Sequence, residues 1–169
     1  ITPVSAPENH YVRIKADNRL EADGTLRGTF TLTAEGQSDS NIRRIFTTGF
    51  QSEWKSTMER QLVAISPKAR LLSVDYGKNP KDYQAAPIKI TFRYEIPDYA
   101  LKGEGEMFFR PMVMNNLYNQ VRSYMWIDTS VENRKYGFKD ACSRLVELDE
   151  TVQLPAGYKL CLLYTSPSP

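Results

Sequence analysis

Alternating apolar and polar residues predict β-strands in two parts of the chain. From Leu26 to Ala34, apolar or small side chains occupy every second position, with threonine or arginine between them. The segment from Ile88 to Ile96 alternates in the same way. A period of two places successive side chains on opposite faces of a sheet, so each segment predicts a half-buried strand. Asp23-Gly24, a dipeptide typical of hairpin turns, predicts that a strand over residues 11–20 pairs with the first of these strands.

The segment between these strands has a helical period. Its apolar residues form two groups: Ile42, Ile45 and Phe46, then Trp54, Met58, Leu62 and Ile65. At about 100° per residue the two groups lie on nearly opposite helical faces. One straight helix would therefore bury two different sides, so we predict two short helices with a break near Gly49. Ser38 and Ser40 are candidate N-caps for a first helix that begins near Asn41.

Three further strands are expected, over residues 69–76, 99–109 and 141–154. Residues 111–127 are apolar and aromatic without a clear period, and they predict no element. Short turns between strands favour antiparallel neighbours. We therefore expect a mainly β, α+β fold: an antiparallel β-sandwich-like domain with a helical insert of one or two helices near residues 40–65.

Composition removes several classes of function. The chain has 169 residues and a net charge of +2, which is too small to indicate a nucleic-acid-binding protein. It has no apolar stretch of about 18 residues, so no transmembrane segment is expected. One histidine, His10, and two cysteines, Cys142 and Cys161, make most metal sites and nucleophile–base pairs improbable. We expect no metal, no cofactor and no catalytic residues.

The two ends of the chain differ from its centre. Residues 1–8, with Pro3 and Pro7, predict an extended linker from an upstream domain, and residues 9–160 form the predicted domain. The final nine residues, 161–169, resemble the translation of a sequencing-library adapter, so we expect a non-native tail. On this interpretation the domain is C-terminally truncated. Cys142 is then the one native cysteine, without an intrachain disulfide.

Several segments together resemble a known family. They are residues 20–28 (Leu-Glu-Ala-Asp-Gly-Thr-Leu-Arg-Gly), the helical passage with Arg43-Arg44, the strand over 88–96, residues 133–138 (Asn-Arg-Lys-Tyr-Gly-Phe) and residues 152–158 (Val-Gln-Leu-Pro-Ala-Gly-Tyr). Residues 8–160 resemble the domain of unknown function that follows the transglutaminase-like core in multidomain extracytoplasmic proteins of Gram-negative bacteria. The family pattern has a proline near Tyr136-Gly137 that this chain lacks.

The resemblance implies an accessory role. In that family the chemistry belongs to an upstream core with a Cys-His-Asp triad, and no functional residue is assigned to this domain. The expectation is a non-catalytic domain of a secreted or periplasmic protein, with an intramolecular transglutaminase-like core as its partner. It implies that this part of the chain is not an enzyme.

Six residues are candidates for a docking or ligand surface: Arg43, Arg44, Phe108, Tyr118, Tyr124 and Trp126. The two arginines could bind a carboxylate of a partner domain, or they could simply line a solvated helix face. The aromatic residues could form a platform for a glycan or a peptide, which is the alternative function, or they could belong to the core or to a domain interface. We favour docking.

A third hypothesis, ranked after the accessory role and the ligand-binding role, is that this chain is itself an enzyme. The passage Trp126–Thr129 is similar to the one that holds the triad acid in transglutaminase-like cores, which would assign Asp128 to that role. The required order of Cys, His and Asp fails, because His10 precedes every cysteine and Cys142 follows the aspartate. The plainer interpretation makes Asp128 a turn residue, Cys142 a core residue and His10 a surface residue.

Overall fold

A sheet of five strands with two helices on one face forms the body of the protein. The computed structural model describes residues 5–85, 87–114, 133, 135 and 142–161. In chain order the elements are β1 (Val12–Leu20), β2 (Leu26–Ala34), α1 (Gly36–Thr47), α2 (Trp54–Ile65), β3 (Arg70–Asp75), β4 (Ile88–Ile96), β5 (Leu101–Lys102), β6 (Met107–Phe108) and β7 (Val146–Gln153).

The large sheet has the strand order β3-β4-β2-β1-β7. The hairpin predicted at Asp23-Gly24 is confirmed: Asp23 Oδ1 accepts a hydrogen bond from the Thr25 N–H at 2.9 Å, and Gly24 has a φ of 89°. The β2–β4 and β3–β4 pairs are also antiparallel. However, β7 pairs parallel to β1. The expectation of antiparallel neighbours fails there because a long connection, rather than a short turn, leads into β7.

One face of the sheet is buried against the helices. The even-numbered positions of β1 and β4 and the residues paired with them on β2 point to this face, which we call the inner face. Both helices contribute apolar side chains to the same core: Ile42 and Phe46 from α1, and Trp54, Met58, Leu62 and Ile65 from α2. The two-helix prediction is confirmed, and a short 3-10 turn, Gln51–Glu53, lies between them.

The sandwich prediction is not confirmed. The structure is mixed α+β and mostly strands, as expected, but the five-stranded sheet is open and its inner face packs on helices rather than on a second large sheet. The other sheet is the small hairpin of β5 and β6. The strand expected over residues 99–109 is split because the Gly103 N–H bonds back to Glu106 O at 2.9 Å, and Gly105 has a φ of 77°.

The opposite face of the sheet, the outer face, carries charged residues and threonines. Arg13, Lys15, Asp17 and Arg19 of β1 all point to it. Thr31 of β2 and Thr91 of β4 meet on it, with their hydroxyl oxygens 3.1 Å apart. Neither helix in the described part of the chain combines the length and the apolar character that a membrane-spanning helix needs.

Candidate functional site

Arg43 is inside the protein, which corrects its assignment to a docking surface. Its side chain is 2% exposed, and its Nε donates to Asp39 Oδ2 at 2.7 Å. Its Nη1 donates to the backbone carbonyls of Pro80, at 3.0 Å, and Asp82, at 2.9 Å. The guanidinium therefore joins α1 to the loop that precedes β4. It binds residues of its own chain and offers nothing to a partner.

Asp39 completes this internal site. One carboxylate oxygen accepts from Arg43, and the other, Oδ1, accepts from the Ile88 N–H at 2.7 Å. Because Ile88 is the first residue of β4, the pair joins the first turn of α1 to the start of a central strand. A buried charge must be paired and hydrogen-bonded to be tolerated, and both conditions are met here.

The remaining candidate residues are separated. Arg44 is exposed on the side of α1 that faces solvent. Phe108 is exposed on the β5–β6 hairpin, where it pairs in register with Leu101. Tyr118, Tyr124 and Trp126 lie outside the described residues, as does Asp128. The described candidates therefore do not form one cluster, and Phe108 is the one that joins another exposed apolar side chain.

His10 has a structural role that its sequence context does not indicate. Its Nδ1 accepts a hydrogen bond from the Gln37 N–H at 3.0 Å, and its carbonyl accepts one from the Ser38 hydroxyl at 2.8 Å. These bonds satisfy groups in the first turn of α1, where backbone N–H groups lack helical partners. The helix therefore begins at Gly36 and not near Asn41, and Ser38 lies within its first turn.

A network of hydrogen-bonded polar side chains lies on the inner face, near the end of β4. The Tyr94 hydroxyl donates to Asn18 Oδ1 at 2.5 Å, and Asn18 Nδ2 donates to Glu150 Oε1 at 2.7 Å. Glu150 Oε2 accepts from the Val113 N–H at 2.9 Å. Burial, together with the nearby Glu150 carboxylate, raises the pKa of Tyr94 well above its ordinary value. The network links strands β4, β1 and β7 through side chains alone.

The raised pKa of Tyr94 makes the stability of the domain fall in alkali. A group with a raised folded-state pKa contributes stability that is fully present below its unfolded pKa, 10.0 here, and is lost as pH rises. We expect Tyr94→Phe to lose less stability than the wild type between about pH 10 and pH 12. Urea unfolding across this range measures the effect. The exposed Tyr83 provides the control Tyr83→Phe, and a Tyr94→Phe profile parallel to that of the wild type would contradict the prediction.

The described residues contain no cluster suited to a metal ion. No group of three or more His, Cys, Asp or Glu side chains among them could hold one. Cys142 is half-buried and lies in the coil before β7, rather than within the final strand as predicted. The strand begins four residues later, at Val146.

The outer face has a shallow depression where the strands β7, β1, β2, β4 and β3 lie side by side. Its volume is about 310 Å³. Three arginines line it, Arg19, Arg27 and Arg93, together with Asp17. The sequence pattern does not reveal this cluster, because alternation assigns each arginine to a strand face but does not say which strands are neighbours. Comparison with known proteins adds no relative: no family model, no curated protein and no solved structure matches this chain.

Proposed function

We propose that this chain is a non-catalytic accessory domain of a secreted or periplasmic transglutaminase-like protein, where it packs against the catalytic core of the same polypeptide. The observation that carries the proposal is the pair of exposed apolar side chains on the β5–β6 hairpin. Leu101 is 74% exposed and Phe108 is 42% exposed, and the two are directly opposite each other in the hairpin. Adjacent large apolar side chains on a surface are typical of an interaction site.

The hairpin is held in place by the rest of the domain. The Ala100 N–H donates to Gly24 O at 3.0 Å, which attaches the start of the hairpin to the β1–β2 turn. The Tyr99 hydroxyl donates to Arg110 O at 2.6 Å, which joins the two ends of the hairpin. A docking element that is already ordered loses little conformational entropy on binding. Leu101 and Phe108 are therefore suited to a lasting contact with a neighbouring domain.

The nature of the neighbour comes from the family resemblance over residues 8–160. That resemblance implies a transglutaminase-like core upstream, which would supply the Cys-His-Asp chemistry. The interior site built on Arg43 serves the fold of this domain. An accessory role agrees with the interior Arg43 site and with the exposed pair of Leu101 and Phe108, because it needs a stable domain and one apolar contact surface.

Binding between the purified chain and the transglutaminase-like core encoded upstream in the same gene tests the proposal. Isothermal titration calorimetry should show saturable association, and Phe108→Ser should weaken it by about tenfold or more, because apolar anchors dominate interface energies. The matched control is Phe50→Ser, since Phe50 is 76% exposed but lies between the helices. A gene without such a core, or equal losses from the two variants, would contradict the proposal.

A further inference from the structure

The depression on the outer face is built from a backbone floor and a polar rim. The side chains of Asn18 and Tyr94 point to the inner face, so at these positions and at Gly28 the strands present backbone to the outer face. The rim is formed by outward side chains from five strands, and all but one of them are polar or charged. One small apolar group, Leu72, is therefore combined with many hydrogen-bonding groups.

The strand register brings the three arginines together. Arg19 is directly opposite Arg27, and Arg93 is opposite Thr29, the next outward position of β2. Like charges opposite each other destabilise a sheet, so this arrangement has a cost to folding. Against these three cations the depression itself has one acid, Asp17, which leaves an excess of positive charge.

Nearby acids satisfy the arginines only in part. Arg19 Nε is 3.5 Å from Glu21 Oε1, with the arginine exposed and the glutamate half-buried. Arg27 Nη1 is 3.0 Å from Glu95 Oε2, and Glu95 is shared with Arg70 at 3.5 Å. Within the described ranges Arg93 forms no ion pair. A guanidinium has five N–H donors, so these side chains retain donors for an anionic ligand.

We propose that the depression binds an acidic saccharide, a short oligosaccharide of carboxylate-bearing sugars. Arg27 and Arg93 bind the carboxylates, which match the planar fork of a guanidinium. Thr29, Thr151 and Gln153 provide hydrogen-bond partners for sugar hydroxyls. Leu72 contacts the apolar face of a ring. The proposal is independent of the accessory role, because it concerns the outer face of the sheet and not the β5–β6 hairpin.

Size and surroundings favour a saccharide over the other anionic ligands. A volume of about 310 Å³ is far larger than a single phosphate or sulfate and is at the lower end of small-molecule sites. An acidic peptide would bind most readily by adding a strand to a sheet edge. The edges of the described sheet are β3 and β7, whereas the three arginines lie on β1, β2 and β4, which pair on both sides. A peptide strand added at an edge would therefore not lie over the arginines.

Titration of the full chain with digalacturonate tests the proposal. NMR or calorimetry at low salt should show saturable binding, while the matching neutral disaccharide should show none. Arg93→Gln should weaken binding by about tenfold, the usual effect of losing a charge-assisted contact. The matched control is Lys89→Gln, which removes the same charge from the same strand and face about 13 Å away and should change binding less than about twofold.

Three results would overturn the proposal. If digalacturonate shows no saturable binding, the depression is not a binding site for acidic saccharides. An equal loss from Lys89→Gln and Arg93→Gln would show a general effect of net charge. Binding of inorganic phosphate or of tetraglutamate as tight as that of digalacturonate would exclude saccharide recognition, the first indicating a simple anion site and the second a peptide site.

Discussion

Replacement of Arg43 by alanine is expected to destabilise the domain by about 3–5 kcal/mol, the usual cost of removing one partner from a buried ion pair. The variant leaves the Asp39 carboxylate without its cation. It also leaves the carbonyl oxygens of Pro80 and Asp82 without their donor. Urea unfolding followed by tryptophan fluorescence measures the loss, because Trp54 lies in the same core.

The neighbouring residue provides the control for this prediction. Arg44→Ala removes the same side chain from an exposed position of the same helix, and we expect a change within about 0.5 kcal/mol. A second measurement follows the Ile88 amide, whose hydrogen bond to Asp39 should weaken in Arg43→Ala, so its hydrogen exchange should accelerate. Equal unfolding midpoints for the two variants would mean that the buried pair contributes nothing to stability.

Replacement of Gly28 by alanine should cost about 3 kcal/mol, at the upper end of the range for an overpacked core. A Cβ at this position would overlap Asn18 Oδ1 and lie 2.6 Å from the backbone oxygen of Asp17. To make room, Asn18 must turn and β1 must also shift, because the Asp17 oxygen belongs to the backbone. Turning Asn18 breaks the hydrogen bond that it accepts from Tyr94. Differential scanning calorimetry should show the lower unfolding temperature.

Gly49→Ala is the matched control for this second prediction. Its added Cβ would be 3.6 Å from Glu53 Oε2 and 3.8 Å from Ile45 O, which are ordinary contacts. We expect the change in unfolding temperature to be small. If Gly28→Ala is as stable as Gly49→Ala, the prediction is wrong, because the network of Tyr94, Asn18 and Glu150 would then accommodate a methyl group at position 28.

The strands and helices could be predicted because each has one buried and one solvated face. Alternation over Ile88–Ile96 is visible for that reason, and the opposed faces of Ile42 and Trp54 require the helix break. Local pattern contains no information on distant partners. Arg43 looks like a solvated helix residue because its carbonyl partners, Pro80 and Asp82, lie 37 and 39 residues further along the chain.

The same limit applies to the candidate site. The three arginines of the outer depression come from β1, β2 and β4, and they meet only because β2 lies between the other two. Phe108 could be chosen from the sequence because it belongs to the set of aromatic residues that also includes Tyr118, Tyr124 and Trp126. Its pairing with Leu101 depends on the hairpin, which replaced the longer strand that was expected.

The parallel pairing of β7 with β1 has a consequence for how the domain folds. Strands β1 to β4 and both helices lie within residues 12–96, and their antiparallel neighbours can pair as soon as that part of the chain exists. The ion pair between Arg13 and Glu147 spans 134 positions of sequence. Closing so long a loop is entropically costly and slow. During synthesis β1 therefore leaves the ribosome long before β7, and until β7 arrives it is an open sheet edge that can pair with another chain.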